Sequence, residues 1–275
     1  MIFRNAVCRA VAVALAMLAM ASPALPAQEE KPAAPPPASA TPVADEPDVD
    51  VEAEALALLD AAWDWLGAQE SYAFHADLEY DEVFGEATRV RVSSRLDALV
   101  RQPDRFKVFI DGDRGRKAFY YNGESFVLAD LRSRTWAAAP VTGPNDTAVD
   151  TIAGELNVQL PLSDFLVTSP AYSADELQGA YVVGESRVAG RRCHQVLLLL
   201  DDIDVQLWIE ADGNPLIRKL VIVFREAPGA PQFEATFTEW YPPTQLSDYV
   251  FTHRPGDGDR HVELAAPAPA ETGKE

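Results

Sequence analysis

The chain has 275 residues, 43 of them acidic against 23 basic, for a net charge of −20 at neutral pH. That balance excludes nucleic acid as a partner, because affinity for phosphate backbones comes from Lys and Arg, and it argues against tight docking on anionic lipid surfaces. The apolar fraction of 48% suffices for one domain with a substantial core once the low-complexity ends are set aside.

Residues 1–27 read as a cleaved secretory signal. They have a short basic start (Arg4, Arg9), an apolar run from Val11 to Ala21, and small residues around Ser22-Pro23-Ala24 and Ala27. The run is shorter than the roughly 20 residues that span a bilayer. Cys8 precedes it, whereas a lipid-anchored precursor needs a Cys just after it. Cleavage removes Arg4 and Arg9 and no acid, so 21 basic residues then face 43 acidic ones and the net charge is −22. It also leaves Cys193 as the only thiol, with no internal disulfide to form and the character of a small buried residue on a strand. Residues 28–50 are a disordered Pro/Ala/acidic linker and residues 257–275 a disordered tail, which leaves 51–256 as the folded domain.

Within that domain Val51 to Gln69 is a helix, with Leu56, Leu59, Trp63 and Leu66 on one face. Tyr72 to Phe84 alternates as a long strand. Its inner face (Tyr72, Phe74, Ala76, Leu78, Tyr80, Phe84) is rich in aromatic residues, and its outer row is His75, Asp77, Glu79 and Asp81, read as a solvated face. Gly85-Glu86 turns the chain into a second strand, where Val90, Val92, Leu96 and Val100 oppose Arg89, Arg91 and Arg95. Those arginines are placed to pair with the acidic row. Arg105 to Asp111, Lys117 to Tyr121, Phe126 to Leu131 and Thr135 to Ala138 complete a meander, with Asn122-Gly123 a hairpin signal.

Helical spacing then interrupts the meander. Val149, Ile152, Ala153 and Leu156 mark one short helix, and Leu162, Phe165 and Leu166 a second, with Pro161 between them. Such a pair is placed to lie over a barrel mouth. Strands return at Tyr181 to Val188, Cys193 to Leu200, the hairpin Val205 to Phe224 with its Asp212-Gly213-Asn214-Pro215 turn, and Gln232 to Trp240. The fold class is therefore mainly β (α+β): a curved antiparallel half-open β-barrel of roughly eleven strands, with an N-terminal helix and a short helical lid.

Several stretches carry a family resemblance. They are Gln102-Pro103-Asp104-Arg105-Phe106, the Tyr121-Asn122-Gly123 turn, Leu160-Pro161-Leu162, Gly190 to His194, the W-I-x5-P-L-x-R-K spacing of Val205 to Phe224, and Asp248-Tyr249-Val250-Phe251. In these, over roughly Val51 to Gly256, the chain resembles the LolA and LolB periplasmic lipoprotein carriers, and within that superfamily an uncharacterised predicted-periplasmic-protein family of bacteria. The resemblance implies a half-open barrel with a helical lid and, in the characterised carriers, an apolar cavity for lipoprotein acyl chains. No lipid-anchoring Cys stands at the mature start as it does in LolB, and no loop for membrane handover is recognisable.

No constellation for chemistry stands out. Gly123-Glu124-Ser125 and Gly184-Glu185-Ser186 lack the second glycine of a nucleophile elbow. His75, His194, His253 and His261 are scattered without ligand spacing, so no metal and no cofactor are expected. Cys193 and His194, adjacent on a strand, point to opposite faces. Asp201-Asp202-Ile203-Asp204 reads as an acidic turn, and Asp257-Gly258-Asp259 lacks an acidic twelfth ligand for calcium.

The apolar face is the candidate site. Phe74, Leu78, Tyr80, Phe106, Val108, Phe119, Tyr121, Phe126 and Trp136 would line a cavity, with Ile152, Leu156, Phe165 and Leu166 as its lid. An ordinary core packed on Leu59, Trp63 and Leu66 has the same pattern. The expectation is a periplasmic, monomeric, non-catalytic binding protein, not integral to a membrane, that carries or senses a hydrophobic acyl chain or lipoprotein cargo. The alternative is a ligand-free envelope protein–protein interaction module that binds a partner through exposed sheet edges.

Overall fold

The computed structural model describes residues 50–85, 87–168, 174–241 and 246–264. The signal segment 1–27, the linker up to residue 49 and the tail from residue 265 lie outside them. The chain runs β1 (Asp50–Val51), α1 (Ala53–Gly67), β2 (Ser71–Phe84), β3 (Thr88–Arg101), β4 (Arg105–Gly112), β5 (Gly115–Tyr121), β6 (Ser125–Asp130) and β7 (Thr135–Pro140). After α2 (Asn145–Gly154) and a 3-10 turn at Ser163–Leu166 come β8 (Gly179–Val188), β9 (Arg191–Leu199), β10 (Ile203–Glu210), β11 (Ile217–Phe224) and β12 (Gln232–Tyr241). A second 3-10 turn (Asp248–Phe251) and β13 (Arg260–His261) follow.

The strands form one sheet in the order β1-β8-β9-β10-β11-β12-β2-β3-β4-β5-β6-β7-β13. The strands from β2 to β12 are the eleven of the expected antiparallel barrel. The two-residue β1 and β13 add parallel to its ends, on β8 and β7. Two meanders thus meet along one seam, β12 against β2, with Phe233 opposite Tyr80 and Ala235 opposite Leu78. The sheet curves around its apolar face but does not close.

Period-two alternation puts Ile203, Val205, Leu207 and Ile209 on the inner face of β10, all buried, as the hairpin pattern requires. Against this half lies α1, packed on β8 and β10 through Ala55, Leu59, Ala62, Trp63 and Leu66. Each of the larger of these side chains contributes on the order of 1.5–3 kcal/mol by leaving water. Glu52, just before the helix, does not cap it. Its carboxylate accepts from the Val182 amide at 2.8 Å and ties the helix start to β8.

The acid–arginine rows of β2 and β3 pair as expected: Arg95 meets Asp77 and Arg91 meets Asp81, each at 3.2 Å. The acidic row is not uniformly solvated, however. Asp81 is buried, because the seam covers it and its carboxylate also accepts from the Gln232 amide at 3.1 Å. Phe84 and Val90 fall on the inner face but are exposed, because the β2–β3 hairpin runs on beyond the core. Where β3 meets β4, Gly112 stands opposite Ser94, and a Cβ there would lie 2.4 Å from the Ser93 carbonyl oxygen.

The domain continues past residue 256. Residues 246–264 run as a strap over the outer face of the first meander, held by Arg101 to the Leu246 carbonyl (2.8 Å), by Arg134 to Asp259 (3.2 Å) and by β13. Burial of Phe251 under the Arg101 guanidinium anchors its middle. His253 packs between Tyr120 (5.3 Å) and Trp136 (5.6 Å), and its buried Nε2 has no hydrogen-bond partner among the described residues.

Burial therefore pulls the His253 pKa below its ordinary 6.5, against a smaller upward pull from Asp259. With the folded value below the unfolded one, the neutral ring stabilises the strap above about pH 6.5, and that contribution is lost as pH falls through the folded value. Amide exchange in residues 248–261, corrected for intrinsic rates, is expected to be faster at pH 5 than at pH 7.5, and His253→Phe should abolish the difference. Equal exchange at both pH values in the unsubstituted chain would show that the ring does not control the strap.

Candidate functional site

The concave face is mostly filled. Phe165 drops from the Ser163–Leu166 turn into its centre, with ring centroids 4.8 Å from Phe237, 5.3 Å from Trp63, 6.1 Å from Phe74 and 6.1 Å from Trp240. The turn is fastened from below, where the Tyr72 hydroxyl donates to the Phe165 carbonyl at 2.8 Å; burial holds that hydroxyl far above its ordinary pKa. α2 is fastened from the side. The Asn145 amide donates to the Pro103 carbonyl at 2.6 Å, and the Tyr121 hydroxyl donates to the Gly143 carbonyl at 2.5 Å. The Gln102 to Phe106 stretch thus serves as the seat of α2.

Among the residues expected to line a cavity or its lid, Phe74, Phe106, Val108, Tyr121, Phe126, Ile152, Phe165 and Leu166 are core, each at most 2% exposed. Leu156 is half-buried against them. Trp136 is on the other face of the sheet: it pairs with Ala129, its ring meets His253 and His261, and the strap covers it. The expectation that it lines the concave face is corrected. The stretch TWAAAP has almost no alternation of its own, so its parity is set by β6, where Phe126 faces in opposite Ala139.

Leu78, Tyr80 and Phe119 do border open space. With Val92, Ile110, Leu128 and Phe233 they wall a cavity of about 240 Å³ at the end of the concave face nearest the β4–β5 turn. Residues 157–161 cover it from the lid side, through Asn157, Val158, Gln159 and Pro161. Left-handed backbone at Asn157 (φ 51°) and Leu162 (φ 55°) brackets this cover and swings Phe165 inward. Asn tolerates that conformation locally, whereas buried Leu162 is held in it by packing.

The rim is polar. Arg114, from the β4–β5 turn, donates from Nε to Glu82 at 2.7 Å and through a second, shorter bond from Nη2. Glu82 is on the inner face of β2 and is buried by this contact. The Tyr80 hydroxyl beside them is pushed up in pKa, first by burial and then by Glu82, with Arg114 opposing. Lys117 and Ser94 complete the polar side. Lys117 was not among the expected site residues. Its parity with Phe119 and Tyr121 was the available signal.

The one cysteine among the described residues lies outside the cavity. Cys193 is fully buried, and burial raises its pKa, the reverse of an activated thiol. Asp204 holds Arg225 at 3.2 Å, and Asp259 accepts from Gly256 and Arg134, so both acidic turns are structural. Among the described residues no helix is long and apolar enough to cross a membrane.

The expected architecture, a curved open antiparallel sheet with a helix and short helical segments on its inner face, is the one present. The chain is similar to a solved uncharacterized conserved protein from Thermus thermophilus (13% identity, TM-score 0.44), covering 76% of this chain and 99% of that one. It is similar to the lipoprotein LppX of Mycobacterium tuberculosis (12%, TM-score 0.43), covering 70% and 98%. A LolA superfamily protein from Nitrosomonas europaea (11%, TM-score 0.33) covers 72% and 97%. No protein of curated function matches the chain. The sequence pattern of the family described as "Predicted periplasmic protein (DUF2092)" matches residues 55–265, and the chain belongs to that family.

Proposed function

We propose that the protein is a periplasmic, non-catalytic binding protein that takes an acyl chain, free or on a lipoprotein, into the cavity between β2–β6 and residues 157–161. The observation that carries this is the cavity itself, an apolar pocket left open in a face that is otherwise packed tight. Its 240 Å³ is below the roughly 300–1,000 Å³ of sites that enclose a drug-sized ligand, so it fits a short chain or the end of a long one. Each methylene that enters contributes about 0.8 kcal/mol, which gives useful affinity from a handful of carbons without any catalytic residue. A longer chain requires the 157–166 segment to lift.

Native mass spectrometry of the protein purified from its own envelope without detergent tests this. An added mass that extracts as lipid is expected. A filled cavity should lose it: Val92→Trp, which projects an indole into the pocket, is expected to abolish uptake of a fluorescent acyl probe while the fold persists. Unchanged uptake by that variant would place binding elsewhere.

A second reading, an envelope interaction module, is favoured by exposed Phe84 and Val90 on the projecting β2–β3 hairpin. A bare native protein that also refuses acyl probes would leave that reading in place of the first.

A further inference from the structure

Building on the acyl-chain reading of this cavity, we propose that its ligand is an anionic single-chain amphiphile whose carboxylate or phosphate head is held by Lys117. β5 alternates so that Lys117 shares the inner face with Phe119 and Tyr121, opposite Ile110 on β4. Its neighbours on the cavity wall, Ile110, Phe119 and Leu128, are apolar. An ammonium there gives up part of its hydration and needs a counter-charge in return.

Among the described residues no counter-charge lies at contact distance. Of the two basic side chains lining the cavity, Arg114 is saturated by Glu82, while Lys117 makes no ion pair and no hydrogen bond among the described residues. Asp130, directly opposite on β6, attracts Lys117 through space but makes no ion pair with it at contact distance, because its carboxylate accepts from the amides of Arg132 (2.9 Å) and Ser133 (2.8 Å). An inward lysine with no contact ion pair among the described residues stands out in a chain where 43 acids outnumber 23 bases and Arg91, Arg95, Arg134 and Arg225 each hold a carboxylate.

The polar groups around Lys117 suit oxygen acceptors. Ser94 lines the cavity on the inner face of β3. Gln159, on the cover, has a buried side-chain oxygen with no partner among the described residues, and rotation of its amide presents N–H there instead. An ammonium, a hydroxyl and an amide form a donor set for an anionic oxygen, whereas a cationic head would meet like charge. Volume assigns the parts: the chain occupies the apolar depth beside Leu78 and Phe233, and the head stays at the rim.

The test is displacement of a fluorescent acyl probe by four ligands sharing one chain: dodecanoate, dodecyl phosphate, dodecanol and dodecyltrimethylammonium. Either anion, or both, is expected to bind about tenfold or more tighter than dodecanol, and the ammonium most weakly. Lys117→Met keeps the apolar stem and should bring the anions to the level of dodecanol without moving dodecanol itself, while Lys117→Arg should restore the preference. An anionic preference that survives in Lys117→Met, or an equal loss for all four ligands, would overturn the head site. If the unsubstituted protein binds none of the four, the acyl-chain reading falls and the head site with it; binding of all four with equal affinity overturns the head site alone.

Discussion

Phe165→Ala is expected to lower the unfolding free energy by about 3–5 kcal/mol, read as a fall in the denaturant midpoint without a change in slope. The side chain is 2% exposed and touches four other aromatic rings from three parts of the chain: α1, β2 and β12. Its removal leaves a void that those rings cannot close, and the loss is a large share of a typical domain's 5–15 kcal/mol. The sequence alone makes Phe165 a lid residue. The structure makes it a plug, so Phe165→Asp places a carboxylate among aromatic rings and is expected to unfold the domain before any lid function can be read. Phe165→Ala separates the two roles. As a plug, its loss costs stability while acyl uptake is kept; a free lid would show little change in stability and a change in uptake.

Glu210→Ala should be comparably damaging, by about 3–5 kcal/mol, although it touches no part of the cavity. Glu210 is 7% exposed and accepts from Arg218, itself 8% exposed, at 2.8 and 2.5 Å, and from Arg191 at 3.1 Å. Deleting the carboxylate leaves a guanidinium buried without its counter-charge, beside a second one. The double variant Glu210→Met with Arg218→Met removes both charges and should recover most of the loss. Thermal or chemical denaturation of the three proteins decides: a double variant as unstable as Glu210→Ala would mean that packing, and not the uncompensated charge, sets the cost.

The fold was legible because alternation is a strong signal wherever one face is buried. Ile203, Val205, Leu207 and Ile209 could fall only inward, and Asn122-Gly123 could only turn, with Gly123 at φ 89° and the Asn122 side chain accepting from the Glu124 and Ser125 amides. Trp136 was misplaced where the signal vanishes, in an alanine-rich strand whose facing is dictated by its partner. Asp81 was read as solvated because the strand that buries it is more than a hundred residues away. Cavity and core cannot be separated by pattern: Phe119 borders open space and Phe126, its neighbour at 6.4 Å, does not, yet both are aromatic residues on inward positions. What decides is how far Phe165 and residues 157–161 reach, and that is fixed by hydrogen bonds from Tyr72 and Asn145 to backbone carbonyls that no local spacing announces.

The seam between β12 and β2 also imposes an order in time. The Gln232 amide and the Asp81 carboxylate that help close it are 151 positions apart, while the other long strands mostly pair with neighbours joined by a few residues. A chain delivered N-terminus first presents β2 and zips β2 to β7 early, then waits for β12 with one edge of β2 bare. Contacts so distant in sequence form slowly, and a bare edge invites addition of a foreign strand. The charged row His75, Asp77, Glu79 and Asp81 along that edge makes such additions unfavourable, and Arg91 and Arg95 from β3 hold it in register until the second meander arrives. The acidic stripe therefore acts first as a guard on an unfinished molecule, and only afterwards, apart from Asp81 under the seam, as part of its outer surface.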